Sequence, residues 1–122
     1  MKGGERKLLG RWGEEQVAQD LRRKGCRILA AGWHCRLGEI DLIVSDGTYI
    51  RFVEVKLRKN DHFAQAREAV DYRKQEKLRV SAQLYLSWNP TNLQPRFDVA
   101  EVYAPQGVHT VSPSINYIEN AF

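Results

Sequence analysis

Three ionisable residues in the middle of the chain stand out by their type and spacing. Glu54 and Lys56 lie two residues apart near the end of one strand-like run, and Asp41 lies thirteen residues before Glu54 in another. Side chains two residues apart on a strand point to the same face of a sheet. Two carboxylates and a lysine on neighbouring strands can hold a divalent metal ion beside a water molecule. The spacing therefore indicates metal-assisted hydrolysis as the chemistry to test.

The turn between the two runs sets how close the acids come. Asp46-Gly47 is typical of a two-residue hairpin turn. With that turn, Asp41 lies opposite Phe52 and diagonal to Glu54, with about 7 Å between their backbones. Alternation then predicts one shared face for a larger set: Glu39, Asp41, Ile43, Ile50, Phe52, Glu54 and Lys56.

The first predicted helix adds a third acid to the candidate site. Glu14 lies beside an apolar stripe that contains Val17 and Leu21, whereas Glu15 points away from it. Gly10 and Gly13 fall on the same side. A glycine inside a helix costs about 1 kcal/mol relative to alanine, so we expect close packing or a ligand beside this face.

The second predicted helix directs further polar residues inward. Lys74 is four residues from both Val70 and Leu78, which belong to its inner stripe, and Gln75 flanks that stripe. We predict Lys74 and Gln75 as auxiliary residues of the site. Each candidate taken alone also fits an ordinary surface charge, and a lysine can extend its ammonium to water.

Electrostatics favours a cation at the point where these acids meet. Glu14, Asp41 and Glu54 would repel one another when buried, and at least one would have a raised pKa. Lys56 and Lys74 can offset part of the charge, and a divalent ion such as Mg²⁺ or Mn²⁺ can offset more. We therefore predict Asp41, Glu54 and Glu14 as metal ligands.

The elements that must position these residues follow from hydrophobic periodicity and turn signals. The order of elements is helix, three-strand meander, helix, strand, which predicts an α/β fold with a mixed central sheet of four to five strands flanked by helices. A helix between the third and fourth strands favours a parallel pair. The whole chain, 1–122, is predicted as one domain. The predicted ranges are helices at Glu5–Lys24 and Ala64–Ser87, strands at Cys26–Cys35, Glu39–Val44, Thr48–Arg58 and Arg96–Tyr103, a short fifth strand at Val108–Val111, and a docked tail at Asn116–Phe122.

Charge and composition indicate the class of partner. Residues 1–95 hold 18 of the 19 Lys and Arg residues in a chain of net charge +4, which fits a polyanionic partner. No apolar run approaches the ~20 residues that span a membrane, and the basic N-terminus predicts a cytoplasmic protein. Two cysteines form no disulfide framework or zinc site. Candidate phosphate contacts are Arg36, Arg58, Lys59, Arg73 and Lys77.

Several motifs together resemble those of one bacterial family. Gly10-x-x-Gly13-Glu14, Gly38-Glu39-Ile40-Asp41 and Phe52-Val53-Glu54-Val55-Lys56-x-Arg58 are similar to the motifs of the YraN-type proteins, over nearly the whole chain. That family in turn resembles the PD-(D/E)XK nuclease superfamily, particularly Holliday-junction resolvases. One departure is that Ile40 precedes Asp41, where the superfamily name places proline.

The resemblance implies a restriction-endonuclease-like core and a Mg²⁺- or Mn²⁺-dependent nuclease acting on nucleic acid, in particular branched DNA. Asp41 and Glu54 match its metal-binding acids, Glu14 its helix-one acid, and Lys56 the lysine that orients the water. Lys74 or Gln75 matches the auxiliary residue, and a homodimer is expected by analogy. Two other functions stay open: a non-catalytic nucleic-acid-binding module, and a protein-interaction domain that retains the fold.

Overall fold

The computed structural model of the chain describes residues 3–59 and 70–122. Within them, one sheet has the strand order β1-β2-β3-β4-β5. The β3 and β4 strands are parallel, and the other neighbouring pairs are antiparallel. The predicted α/β fold with a mixed sheet is confirmed. The elements are α1 (Gly3–Arg23), β1 (Arg27–Cys35), β2 (Gly38–Ser45), β3 (Tyr49–Arg58), α2 (Tyr72–Trp88), β4 (Gln94–Tyr103), a 3₁₀ turn (Gly107–His109) and β5 (Ser114–Ile118).

The two helices cover different sets of sheet side chains. The inner face of α1 packs Val17, Ala18 and Leu21 against Leu42, Val44, Val53, Ala100 and Val102. The inner face of α2 packs Leu78, Ala82 and Tyr85 against Ile40, Ile43, Ile50, Phe52 and Val99. Burying a valine or leucine side chain stabilises by about 1.5–3 kcal/mol, so these layers fix both helices on the sheet.

The β2–β3 hairpin turns one residue later than predicted. The side chain of Asp46 accepts hydrogen bonds from the backbone N–H groups of Thr48 and Tyr49, at 2.9 and 2.7 Å. These bonds hold Asp46 as the first residue of the turn, so Gly47, at φ +92°, and Thr48 are its central pair. The predicted pairing of Ser45 with Thr48 is therefore wrong, and Ser45 pairs with Ile50. Because the register moves by two residues, every side chain keeps its predicted face.

Within the residues that the structure describes, helix α2 begins at Tyr72, which is later than predicted. Asp71 is its N-cap, and the Asp71 side chain accepts a hydrogen bond from the Lys74 N–H at 2.9 Å. The predicted start at Ala64 lies outside the described residues, and Val70 and Asp71 are not helical. The helix ends at Trp88, where Asn89 donates to the Tyr85 carbonyl and Pro90 follows. Its inner stripe is buried, as predicted.

The predicted fifth strand at Val108–Val111 is wrong. Gly107 has φ +59° and begins a 3₁₀ turn, and the fifth strand forms at Ser114–Ile118 beside β4. The tail beyond it docks as predicted, because Ile118, Ala121 and Phe122 pack on the α2 side of the sheet. The Phe122 ring stacks on Phe97 at 5.3 Å between centroids.

A buried ion cluster ties the tail to the sheet. Asp98 is fully buried and accepts bonds from Arg51 Nε at 2.8 Å and from Arg96 Nε at 2.9 Å. It also accepts the backbone N–H of Asn120 at 2.9 Å. Asp98 therefore has a structural role as the carboxylate that these three groups share.

Two further findings, on the cysteines and on membrane-spanning helices, hold for the part of the chain that the structure describes. Cys26 and Cys35 are free thiols. Neither described helix combines the length and apolar composition that crossing a membrane requires.

Candidate functional site

The candidate site lies where the β2–β3 ladder ends. The last paired residues are Leu42 and Val53, and extending the register by one residue brings Asp41 opposite Glu54. At this end of the ladder, the side chain of Asp41 on β2 contacts the backbone of β3. Its Oδ2 atom accepts a hydrogen bond from the Val55 N–H at 2.9 Å, which fixes the carboxylate beside β3. Glu54 is 5% exposed and Asp41 is half-buried, so both carboxylates are largely withdrawn from solvent.

Helix α1 brings a third acid to this point and β2 brings a fourth. Glu14, Glu39 and Asp41 each place one carboxylate oxygen within 4.8 Å of the others. The burial of Val17 and Leu21 one and two turns later fixes the rotation of α1 that directs Glu14 toward the sheet. We call these three residues the acid cluster.

A glycine on β1 leaves room beside the acid cluster. Gly32 lies between the β1 residues that pair with Leu42 and Ile40, and so stands opposite Asp41. Its φ is +61°, a conformation that L side chains rarely adopt. A Cβ atom there would lie 3.7 Å from Glu39 Oε1 and 3.9 Å from Glu14 Oε1. The missing side chain keeps the space next to both carboxylates open.

Burial and mutual repulsion raise the pKa values of two of the acids. Burial, with the nearby carboxylates of Glu39 and Glu54, raises the pKa of Glu14 to about 7. Burial, followed by Glu54, raises the pKa of Asp41 to about 7 in spite of the bond from Val55. A cation that binds here would relieve the repulsion and favour the ionised carboxylates.

Two lysines balance the charge of Glu54. Lys74 Nζ lies 2.6 Å from Glu54 Oε1, and Lys56 Nζ lies 3.6 Å from the same oxygen. Burial lowers the pKa of Lys56, and the neighbouring Lys74 ammonium lowers it further. Burial alone would lower the pKa of Lys74, but the bond to Glu54 raises it above its ordinary value.

The donor set fits a hard divalent cation. Mg²⁺ and Mn²⁺ prefer carboxylate oxygen ligands, and the acid cluster offers three within reach of one another. Two of these carboxylates carry raised pKa values that a divalent charge would lower. Of the three predicted ligands, Glu14 and Asp41 belong to the acid cluster and would hold the ion together with Glu39. Glu54 is not part of the cluster, it pairs with Lys74 and Lys56, and its role as a ligand stays a prediction.

Most of the predicted catalytic and auxiliary residues therefore gather at one place: Glu14, Asp41, Glu54, Lys56 and Lys74. Gln75 does not reach it, because its amide donates to the Val70 carbonyl at 2.9 Å and so holds the chain before α2. Glu39 is the acid that sequence reasoning placed on the correct face without assigning it a role. Its position two residues before Asp41 on the same strand was the signal available.

Two open clefts meet at the acid cluster. The α2 cleft lies between α2 and the ends of β2 and β3, and its polar lining includes Glu39, Asp41, Glu54, Arg73, Lys74 and Lys77. The α1 cleft lies between α1 and the β1–β2 pair, and its polar lining includes Lys7, Arg11, Glu14, Arg22, His34 and Glu39. Glu39 lines both clefts, so they are continuous across its side chain.

The predicted phosphate contacts divide into two groups. Arg73 and Lys77 are exposed and line the α2 cleft near Asp41 and Glu54. The other three lie elsewhere. Arg36 is exposed in the β1–β2 turn, Arg58 Nε lies 3.5 Å from Glu101 Oε2, and Lys59 lines a separate cleft beside Tyr103.

Comparison with known proteins assigns the chain to a family. Residues 13–102 match the model described as "Uncharacterised protein family UPF0102", which covers α1 from Gly13 through most of β4. A UPF0102 protein of Pelotomaculum thermopropionicum is 44% identical over 118 residues, which is 96% of this chain and 97% of the relative.

Two further relatives match along the full length of this chain. One UPF0102 protein, from Caldanaerobacter subterraneus subsp. tengcongensis, is 44% identical over 123 residues and is itself fully covered. Another, from Pseudomonas syringae pv. syringae, is 39% identical over 126 residues, which is 98% of its length. The chain therefore belongs to the UPF0102 family, which is the YraN-type family that its sequence motifs resemble.

Proposed function

We propose that this protein is a divalent-metal-dependent nuclease that hydrolyses nucleic-acid phosphodiesters. The observation that carries the proposal is the convergence of Glu14, Glu39 and Asp41 within 4.8 Å beside the Glu54, Lys56 and Lys74 group. The acids come from a helix and a strand that only the fold brings together. They adjoin two lysines, Lys56 on β3 and Lys74 on α2. A purely structural core would not require so much like charge in one place.

Each group of residues at the site would have a different role in the hydrolysis. A Mg²⁺ or Mn²⁺ ion bound by the acid cluster would polarise a phosphate oxygen and lower the pKa of the attacking water. Lys56, whose side chain is 22% exposed, would donate a hydrogen bond from Nζ to that water and hold it in line with the phosphorus. Lys74, whose Nζ atom lies 2.6 Å from Glu54 Oε1, would add positive charge that favours the pentavalent transition state.

The α2 cleft supplies contacts for the polyanion in this proposal. Arg73 and Lys77 lie on the exposed side of α2 beside Asp41 and Glu54. Such cations neutralise phosphates, so binding should weaken steeply as the salt concentration rises. Nucleic acid, in particular branched DNA, is the proposed partner. A cytoplasmic location and a two-fold dimer on a two-fold substrate belong to the same proposal.

Cleavage assays with variants of acidic residues inside and outside the acid cluster test this proposal. Purified protein is incubated with linear DNA, branched DNA and single-stranded RNA in the presence of Mg²⁺, Mn²⁺ or EDTA. We expect metal-dependent cleavage that falls by about 100-fold or more in Asp41→Asn and Glu14→Gln. Glu119→Gln is the matched control because it neutralises an exposed acid that lines neither of the two clefts at the acid cluster. Cleavage that survives Asp41→Asn unchanged would rule out the site.

One observation favours a non-catalytic nucleic-acid-binding module as the second candidate. Glu54 already has an ammonium partner at 2.6 Å and another at 3.6 Å, so its charge is balanced without a metal ion. This candidate predicts salt-sensitive binding of DNA or RNA with no cleavage under any metal condition. The same assay distinguishes the two candidates when nucleic-acid retention and product formation are measured together.

A further inference from the structure

The α1 cleft has the features of a phosphate-binding channel although no predicted contact lies in it. Lys7 and Arg11 are exposed on successive turns of α1, about 6 Å apart along the helix axis. Arg22 lines the same cleft 3.7 Å from Glu15, and His34 lies 3.5 Å from Glu39 on the opposite wall. Lys7, Arg11 and Arg22 thus line the helix wall of the cleft together with Glu15. The proposed metal-binding acids Glu14 and Glu39 lie at its inner end.

The floor of the cleft is open beside these cations. Gly10 lies between Lys7 and Arg11 in the lining, and a Cβ built on it would have no heavy atom within 4 Å. At the next glycine, Gly13, a Cβ would instead meet the Leu57 side chain at 3.1 Å. The helix therefore packs tightly on the sheet at Gly13 and stands away from it at Gly10, which leaves a channel that begins at Glu14.

The α1 and α2 clefts form one path across the acid cluster. Glu14 opens into the α1 cleft, Asp41 and Glu54 open into the α2 cleft, and Glu39 lines both. A phosphate positioned at the acid cluster would thus have exposed cationic side chains on both sides, with Arg73 and Lys77 on one and Lys7 and Arg11 on the other.

We propose that the α1 cleft binds the sugar–phosphate backbone on one side of the phosphate at the acid cluster. A polynucleotide strand then runs through both clefts and crosses over Glu39. This inference rests on the proposed function and adds a substrate requirement, namely that the strand continues in both directions from the reacting phosphate. Lys7 and Arg11 are the residues that bind it in the α1 cleft.

Binding of a fluorescein-labelled single-stranded DNA, measured by anisotropy over a range of salt concentrations, tests the inference. Two phosphate contacts contribute about 1.4 to the slope of log affinity against log salt concentration. We therefore expect Lys7→Ala/Arg11→Ala to reduce the slope by about 1.4. The charge-matched control is Arg23→Ala/Arg27→Ala, which removes two exposed arginines outside both clefts and should leave the slope close to that of the parent protein.

Each result of this comparison decides the inference. A selective loss of slope in Lys7→Ala/Arg11→Ala, with an unchanged melting temperature, supports the α1 cleft as a binding site. Equal effects of the two double variants, or no effect of Lys7→Ala/Arg11→Ala, overturn it. If that happens while Asp41→Asn still abolishes metal-dependent cleavage, the proposed function stands without the α1 cleft. A parent protein that neither binds nor cleaves nucleic acid removes both.

Discussion

The surroundings of Asp41 shift its pKa in opposite directions. The Val55 N–H stabilises its ionised form, whereas burial and the neighbouring carboxylates stabilise its protonated form. The second effect is larger, because the pKa of Asp41 is raised to about 7. A group with these properties costs free energy when it ionises in the folded protein, and a bound cation reverses that cost.

This balance predicts how stability depends on pH in the absence of divalent metal. Between about pH 4 and pH 7, Asp41 is protonated in the folded protein and ionised in the unfolded chain. The folded state then holds more protons, so the free energy of unfolding falls as pH rises through this window. Asp41→Asn, which can still accept the Val55 bond, should flatten this decline and add roughly 1–3 kcal/mol of stability at pH 8.

Urea unfolding at several pH values in EDTA measures this effect. Glu15→Gln on the exposed face of α1 serves as the control and should follow the parent protein at every pH. Loss of stability in Asp41→Asn at pH 8 would show that the carboxylate at this position contributes favourably without metal, which contradicts the origin assigned to its raised pKa.

At the scale of elements, α1 combines a packing contact and a cleft within one helical turn. Gly13 is buried, and a Cβ there would meet Leu57 of β3 at 3.1–3.2 Å. Gly10 is half-buried with open space in the direction of its missing side chain. Periodicity placed both glycines on one face of the helix. The distance from that face to the sheet at each position depends on the tilt of α1, which sequence periodicity does not specify.

The two glycines should therefore respond differently to alanine. Gly10→Ala gains the helix propensity of alanine without a clash and should raise the free energy of unfolding by about 0.5–1 kcal/mol. Gly13→Ala gains the same propensity but must displace the Leu57 side chain, so we expect a smaller gain or a net loss. Chemical denaturation of both variants provides the comparison. A Gly13→Ala variant more stable than Gly10→Ala would contradict the close approach of α1 to β3.

The hairpin shows how far local signals determine an element. Asp46-Gly47 correctly predicted a two-residue turn, but the side chain of Asp46 bonds to Thr48 and Tyr49 and shifts the turn by one residue. The prediction for the acids survived because side chains on a strand alternate with a period of two. A shift of one residue in the pairing would instead have moved Glu54 to the α1 side of the sheet.

At the scale of the whole molecule, the buried ion cluster at Asp98 joins three distant parts of the chain. Arg51 comes from β3, Arg96 and Asp98 from β4, and Asn120 from the tail. The Arg51 side chain is 8% exposed, and Asp98 at 2.8 Å lies closer to it than Asp46 at 3.7 Å. Removing one member of such a pair leaves an uncompensated buried charge.

Two variants measure how much this cluster contributes to the free energy of unfolding. Each replaces one of the two acids that lie within salt-bridge distance of Arg96. Asp98→Ala should lower the free energy of unfolding by about 3–5 kcal/mol, because it removes the fully buried carboxylate that both Arg51 and Arg96 contact and leaves each arginine only a more distant acid, at 3.7 and 3.5 Å. Glu119→Ala removes an acid that is 62% exposed and lies 3.5 Å from Arg96, and should cost less than about 1 kcal/mol. Similar losses in the two variants, measured by thermal and urea unfolding, would contradict a buried role for Asp98.

The sequence by itself determined the fold class and most of the residues at the candidate site. Apolar periodicity identified both helices and the first four strands, because burial of one face leaves a regular pattern along the chain. The same alternation put Asp41, Glu54 and Lys56 on one face, and helical spacing directed Glu14 and Lys74 inward. The periodicity did not give the start of α2, where Asp71 is the N-cap in an extended conformation. It also did not give the place of the fifth strand, because Gly107, directly before the predicted strand, has a positive φ and a 3₁₀ turn forms there.

The tertiary structure decided how the charges are arranged. It placed Glu39 with Glu14 and Asp41, while Lys74 paired with Glu54, and it directed Arg58 to Glu101. It also opened the α1 cleft beside Gly10. These features depend on distances between side chains of separate elements, and such distances follow from helix tilt, strand register and the positive φ of Gly32. Periodicity fixes the face on which a side chain lies, whereas the packing of the elements against one another fixes which groups it meets there.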